Sequence, residues 1–277
     1  CDNFAQITGD KGYRTRTEFW TTELSNKIID DLNGKVELIY AANCICHIHD
    51  LQDTFNAINN ILHDDGVFIF EDPSLLSVLD RGSYDQIYDE HPHLFSVTSL
   101  NNLLRQNGLQ IFRVSNLSVH GGSNRIFVGK EGKVKVENSV EENLQREFEC
   151  GLQDFSTYER FSDRVKDNKK SLMRTFDRLK QNGSKIMSIG ATAKSTTVFN
   201  YCGITTRIID VITDTTIDKQ NTYSPGVHIP VKSPNDVDMS KYDYAFLGAW
   251  NFSHYIRKNQ TDFKGQFITH IPEVHFV

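Results

Sequence analysis

The sequence predicts an α/β protein in two parts: a parallel sheet closed by an antiparallel end pair, then a helical connector and a second, smaller α/β domain. Three observations carry this. An apolar run, a helix-spaced run and a second apolar run follow one another between residues 36 and 70. The stretch from Val136 to Gly183 has no proline and repeats apolar residues at three- and four-residue steps, and strand-like and helix-like runs alternate again after Gly183. Strand, helix and strand in so short a span form a βαβ unit, whose crossover makes the two strands parallel. On these grounds the chain divides into 1–132, 133–183 and 184–277.

In order along the chain, VELIYAAN from Val36 reads as a buried strand that delivers Asn43 at its carboxyl end. Asp50 suits the N-cap of a helix carrying Leu51, Phe55, Ile58, Ile61 and Leu62, which Asp64, Asp65 and Gly66 interrupt. Val67 to Phe70 form the second strand, ending in Glu71 and Asp72. Thr98 can cap a helix that Asn107 and Gly108 end. LQIFRVSNL and NRIFVG, joined through the HGGS turn, are too close for a crossover and form the antiparallel pair. Leu144, Phe148, Leu152, Phe155, Leu172, Phe176 and Leu179 then give the connector one apolar face. KIMSIG, TTVFNYCGI, RIIDVITD, DYAFLGAW and QFITHIP supply the last α/β domain.

Composition excludes several function classes. The 277 residues hold 30 Lys+Arg and 36 Asp+Glu, a net charge of −6. With no basic stripe, a nucleic-acid partner is not expected. No apolar run approaches the roughly 20 residues that span a bilayer, so no membrane partner is expected either. Five cysteines (Cys1, Cys44, Cys46, Cys150 and Cys202) form no CxxC pair, which suggests neither a disulfide framework nor a metal knuckle and points to a reducing cytoplasm. Cys44 and Cys46 read as small buried hydrophobes. Cys1 stands where an initiator Met is usual, which reads as a processed end or the edge of a longer protein.

Four segments carry polar groups in patterns suited to chemistry. YDQIYDEHPHLFS places Tyr88, Asp89, Glu90, His91 and His93 within six residues; an imidazole beside a carboxylate and a phenol suits a general base, and a solvated loop with two histidines is the alternative. SIGATAKSTT runs from a strand into a helix, where backbone amides and Lys194 suit a phosphate, although neither a Walker A loop nor a GxGxxG fingerprint is present. HGGSNR, with His120, Gly121, Gly122, Ser123 and Arg125, offers flexible backbone and a guanidinium to an anionic or sugar ligand, or is a hairpin turn that needs glycine. Asn43 with His47, and Trp250 with Asn251, stand at strand ends, where open α/β sheets bind ligands. Trp250 suits either stacking on a base or the core.

Taken in order, AANCICHIHDL, DDGVFIFEDP, YDQIYDEHPHLFSVTSL, VHGGSNR, the ECGL and YERF helices, GATAKS, SPGVHIPV and AWNF resemble the sugar C-methyltransferase family. Its members use S-adenosylmethionine to methylate a ring carbon of a nucleotide-linked keto sugar. The resemblance implies a class I methyltransferase-like, Rossmann-like sheet and a smaller Rossmann-like C-terminal domain. It carries the Tyr-x-Glu-His pattern onto Tyr88, Glu90 and His91, with His91 as the base that forms an enolate for attack on the methyl group. Asn43 then lies near the cofactor, while Thr192, Lys194 and the HGGSNR turn hold the nucleotide-sugar, a dTDP-linked deoxy or amino keto sugar being the expected one.

The departures shape the alternatives. The family's cysteine-rich zinc-binding segment, the Gly-rich cofactor loop and the acidic end of the second strand have no counterpart before Val36, so the pattern places the start of this chain just past that strand. Ser195 stands where relatives often carry Gly. Enolisation without methyl transfer, by an epimerase or isomerase, and a binding fragment without turnover are the competing functions. Unpaired sheet edges favour self-association.

Overall fold

The computed structural model describes residues 2–260 and 263–277; Cys1 lies outside them. In chain order the elements are α1 (Asp2–Asp10), α2 (Thr22–Leu32), β1 (Val36–Ala42), α3 (Leu51–Ile61), β2 (Leu62–Pro73), α4 (Leu75–Arg81), α5 (Val97–Gln106), β3 (Leu109–Leu117) and β4 (Ser123–Lys130). There follow α6 (Asn138–Glu149), α7 (Phe155–Gln181), β5 (Ile186–Ile189), α8 (Ala193–Cys202), β6 (Ile212–Thr213), β7 (Thr222–Tyr223), β8 (Pro230–Lys232), β9 (Tyr244–Leu247), α9 (Ser253–Asn259), β10 (Gln266–Thr269) and β11 (His275–Phe276). They form two compact units. Unit 1 comprises Cys1–Asp72, Phe95–Asn116 and Asn124–Arg146; unit 2 comprises Pro73–Leu94, Leu117–Ser123 and Glu147–Val277. Segments 73–94 and 117–123 therefore cluster with the second unit although they lie early in the sequence.

Unit 1 is built on a four-stranded sheet of order β1-β2-β4-β3. β1 and β2 are parallel, as a βαβ unit requires, with Ile39 opposite Phe68 and Ala41 opposite Phe70. Asp50 caps α3 by accepting the Asp53 amide, and Phe55 and Ile58 of that helix are buried with Phe68 and Phe70. The cap of α5 is Ser96 rather than Thr98: its hydroxyl accepts the Ser99 amide and Ser99 reciprocates, a capping box that only the earlier serine can close. Nor is β1 a buried strand. None of its seven residues is buried, because β2 is its one sheet neighbour among the described residues.

Unit 2 carries a seven-stranded sheet of order β11-β10-β9-β5-β6-β8-β7. β10, β9, β5, β6 and β8 run parallel and β7 and β11 antiparallel at the edges. The connector is two helices, since Gly151 adopts φ +70 in the turn between α6 and α7. That turn takes Phe148 and Phe155 off the apolar face, leaving them 64% and 76% exposed, while Leu172, Phe176 and Leu179 of α7 are buried in the core of unit 2. Among the described residues no helix is long and apolar enough to cross a membrane.

Candidate active site

The polar cluster of unit 2 folds back on itself after α4. Tyr84–Gln86 make a single 3-10 turn, and His91 returns to it, its Nδ1 standing 3.0 Å from the Gln86 carbonyl oxygen. A carbonyl only accepts, so in the neutral imidazole Nδ1 carries the hydrogen and Nε2 keeps a lone pair. The Tyr88 hydroxyl donates to that Nε2 at 2.8 Å, with the two rings 4.0 Å apart. Tyr88 and His91 are thus brought together as their spacing suggested, with a backbone carbonyl holding the far ring nitrogen. Glu90 and Asp89 are exposed.

A cleft of about 740 Å³ in unit 2 is lined by Tyr88, Asp89 and Glu90 on one wall and by Thr192, Ala193 and Thr196 at the start of α8 on another. Lys219, Thr222 and Tyr223 also face it. Thr192 is the N-cap of α8: its hydroxyl accepts the Ser195 amide, and Ser195 Oγ accepts the Thr192 amide. Ser195 therefore closes the cap from the first turn of α8. Burial draws the Lys194 ammonium below its usual range, opposed by the Asp85 carboxylate.

Trp250 belongs to the core rather than to an open ligand surface. It is 8% exposed, and its indole N–H is donated to Asp85 Oδ2 at 2.6 Å. Its ring also explains the glycines of HGGS: a Cβ on Gly121 would stand 2.4 Å from Trp250 Cη2, and one on Gly122 2.5 Å from Ser77 Cβ. Both glycines have positive φ, so the turn needs them for close approach and for backbone shape. His120 stacks edge-on to Phe252 at 6.4 Å, Ser123 is buried, and Asn251 follows Trp250 half-buried. Asp85 and His270 had drawn no assignment from sequence, yet they are 0% exposed and their side chains lie 3.5 Å apart.

Unit 1 gathers a polar set at the carboxyl ends of β1 and β2. Asn43 is exposed, adopts φ 49, and gives its amide to the Glu71 carbonyl at 2.7 Å. His47, also exposed, ends a 3-10 turn over Ile45–His47. Cys46 in that turn is buried, but Cys44, which precedes the turn, is exposed. Arg125 belongs to this unit: its Nε donates to Glu71 Oε1 at 2.6 Å, and the Tyr40 hydroxyl donates to the same oxygen at 2.9 Å. Asp72 is 3% exposed, and burial pushes its carboxyl up to about 6 against the opposing pull of the Cys46 thiol and the Cys46 and Cys44 amides.

Residues 118–272 match the C-methyltransferase C-terminal domain, and residues 9–114 match a methyltransferase domain. The chain belongs to the C-methyltransferase family. The class I methyltransferase-like α/β fold expected from the sequence is the one this family chain adopts. The C-methyltransferase NovU of Streptomyces niveus is 31% identical over 278 aligned positions, covering 98% of this chain and 65% of the relative's own length. Among solved structures, magnesium protoporphyrin IX methyltransferase of Synechocystis PCC 6803 with bound SAH is similar at 14% identity and TM-score 0.28, covering 35% of this chain and 46% of that one. An O-methyltransferase family protein from Burkholderia thailandensis is similar at 12% identity and TM-score 0.30, covering 43% and 36%.

Proposed function

We propose that this chain carries the machinery of an S-adenosylmethionine-dependent C-methyltransferase acting on the ring carbon beside the ketone of a nucleotide-linked keto sugar, a dTDP-linked deoxy or amino sugar being the expected substrate. The observation that supports this most is the Tyr88–His91 pair, whose phenol lines the same cleft as the N-terminus of α8. The name of the NovU relative supports the reaction type.

The residues of unit 1 suit the cofactor. Asp72 is buried with neither carboxylate oxygen in a full hydrogen bond among the described residues, and such a group favours a cationic neighbour. Asp72, with Asn43 and His47, would hold the cofactor. When bound, S-adenosylmethionine supplies a methyl group on positively charged sulfur.

In unit 2, a carbon beside a ketone is too weak an acid to ionise at neutral pH without a base and support for the developing oxyanion. Tyr88 lines the cleft and His91 Nε2 holds its hydroxyl. As the Tyr88 oxygen takes the proton from carbon, the phenolic proton passes to Nε2, leaving an imidazolium whose Nδ1–H stays on Gln86 and an enolate on the sugar, to which the bound cofactor would supply the methyl group. The helix N-terminus with Thr192 and Lys194 would take the phosphates of the nucleotide. The test is methyl transfer to a dTDP-keto sugar. His91→Asn and Tyr88→Phe should each lower turnover about 10²- to 10⁴-fold while S-adenosylhomocysteine still binds; a full rate in His91→Asn overturns the assignment of the base. Solvent deuterium entering the sugar with no methylation would instead mark an epimerase or isomerase.

A further inference from the structure

Asp85 is a buried carboxylate that the reaction above does not use. It is 0% exposed; Oδ2 accepts the Trp250 indole N–H at 2.6 Å and lies 3.5 Å from His270 Nε2. Its other oxygen and both ring nitrogens of His270 make no hydrogen bond among the described residues. The charge of the same carboxylate acts on Lys194 of α8, and the Tyr84 ring packs edge-on to His270 at 5.6 Å. Burying a carboxylate this way is costly, and an apolar side chain of equal volume usually serves a core better. The position therefore asks for a reason beyond packing.

That reason lies one residue along. Asp85 and Gln86 share the single 3-10 turn, and the carbonyl that receives His91 Nδ1 is that of Gln86. Trp250 is itself fixed, since its ring fills the space beside Gly121 that no larger residue could leave open. The Asp85 side chain thus pins the middle of the turn whose next carbonyl chooses the histidine's tautomer. We propose that Asp85 is a positioning residue, tying the Tyr84–Gln86 turn to Trp250 and His270 so that the Gln86 carbonyl holds His91 in the Nδ1–H form with Nε2 toward Tyr88.

This rests on the reading of His91 as the base, but its first readout does not. Two-bond ¹⁵N–¹H spectra of the histidine-labelled chain, with His91 assigned by its loss in His91→Asn, report the tautomer without substrate or cofactor. The wild type should show the Nδ1–H form. Asp85→Ala should populate the Nε2–H form, and Asp85→Asn, which can still accept from Trp250, should restore the wild-type spectrum. In turnover, Asp85→Ala should lower kcat on the order of 10- to 100-fold, with KM for the sugar changed less than about threefold, and Asp85→Asn should recover most of it. A folded Asp85→Ala with an unchanged His91 spectrum overturns the proposal, as does an Asp85→Asn as impaired as the alanine. Should Asp85→Ala not fold, Trp250→Phe is read the same way, and a wild-type spectrum there overturns it. A fully active His91→Asn would sink the base assignment while leaving the tautomer result standing.

Discussion

The two sheets each begin a βα turn from an apolar strand, and they treat it in opposite ways. β5, IMSI, has β9 on one side and β6 on the other, and all four residues are buried. Among the described residues β1, VELIYAA, pairs only with β2; Leu38 and Tyr40 are 61% and 58% exposed. Both strands read alike as apolar runs. An apolar run therefore marks a strand, whereas the number of its neighbours decides how deeply it is buried.

The largest effect should come from the middle of the seven-stranded sheet. Phe246 on β9 is 0% exposed and packs against Phe176, Phe199 and His270 at ring separations of 6.0, 5.6 and 5.4 Å. Phe246→Ala removes a ring that these neighbours cannot close over, and should cost about 3–5 kcal/mol. Urea unfolding midpoints of the purified chain check this. A loss below about 1 kcal/mol would mean that the sheet of unit 2 is as loosely packed as the β1 edge.

How much of this was legible follows the range of each interaction. Local signals read true for Asp50 as a cap, for Asn107 and Gly108 at the end of α5, and for Tyr88 with His91 three residues on, where both rings meet, whereas Asp64, Asp65 and Gly66 do not end α3: that helix stops at Ile61, and Leu62 already opens β2, which runs through them. The β7 and β11 edge strands, two residues each, are too short to leave a period in the sequence. Thr98 lost the cap to Ser96 because both residues are good caps and only the reciprocal bond from Ser99 separates them. The support of the site was invisible for a different reason. His91 leans on a backbone carbonyl, which any residue possesses, and Asp85 meets Trp250 across 165 positions of sequence. Gly121 did carry a signal, but the reason for it, the Trp250 ring, lies far along the chain.

Titration of Asp72 reports whether unit 1 is well buried at the end of β2 in spite of its exposed edge. Asp72 has its carboxyl raised to about 6 by burial, from 3.8 in an unfolded chain. Because the native pKa is the higher one, the native state holds the proton more tightly. Stability from this group is fully present below about pH 4, falls as pH rises toward 6, and stays at its lower level above that. Asp72→Asn removes the titration, so it should gain on the wild type between pH 4 and 6 and remain ahead by roughly 1–3 kcal/mol at pH 8. Urea midpoints of both proteins across pH 4–8 measure the gap. A gap of constant size would mean that Asp72 titrates like a solvated carboxylate and that the end of β2 is as open as β1.

The smallest effect should come from β1 itself, and it bears most directly on the contrast between the sheets. Leu38 lies opposite Val67 in the ladder, yet its side chain is 61% exposed. Leu38→Lys leaves the backbone pairing intact and places a charge where water already is; an edge lysine also discourages pairing with another chain. Its cost to the unfolding midpoint should stay within about 0.5 kcal/mol. A cost several times larger, read in dilute protein and again at tenfold higher concentration, would mean that this face is covered in solution. A cost that grows with concentration would make the cover a second copy of the chain, since only association of copies responds to dilution, and the exposed edge of β1 would then be half of an interface.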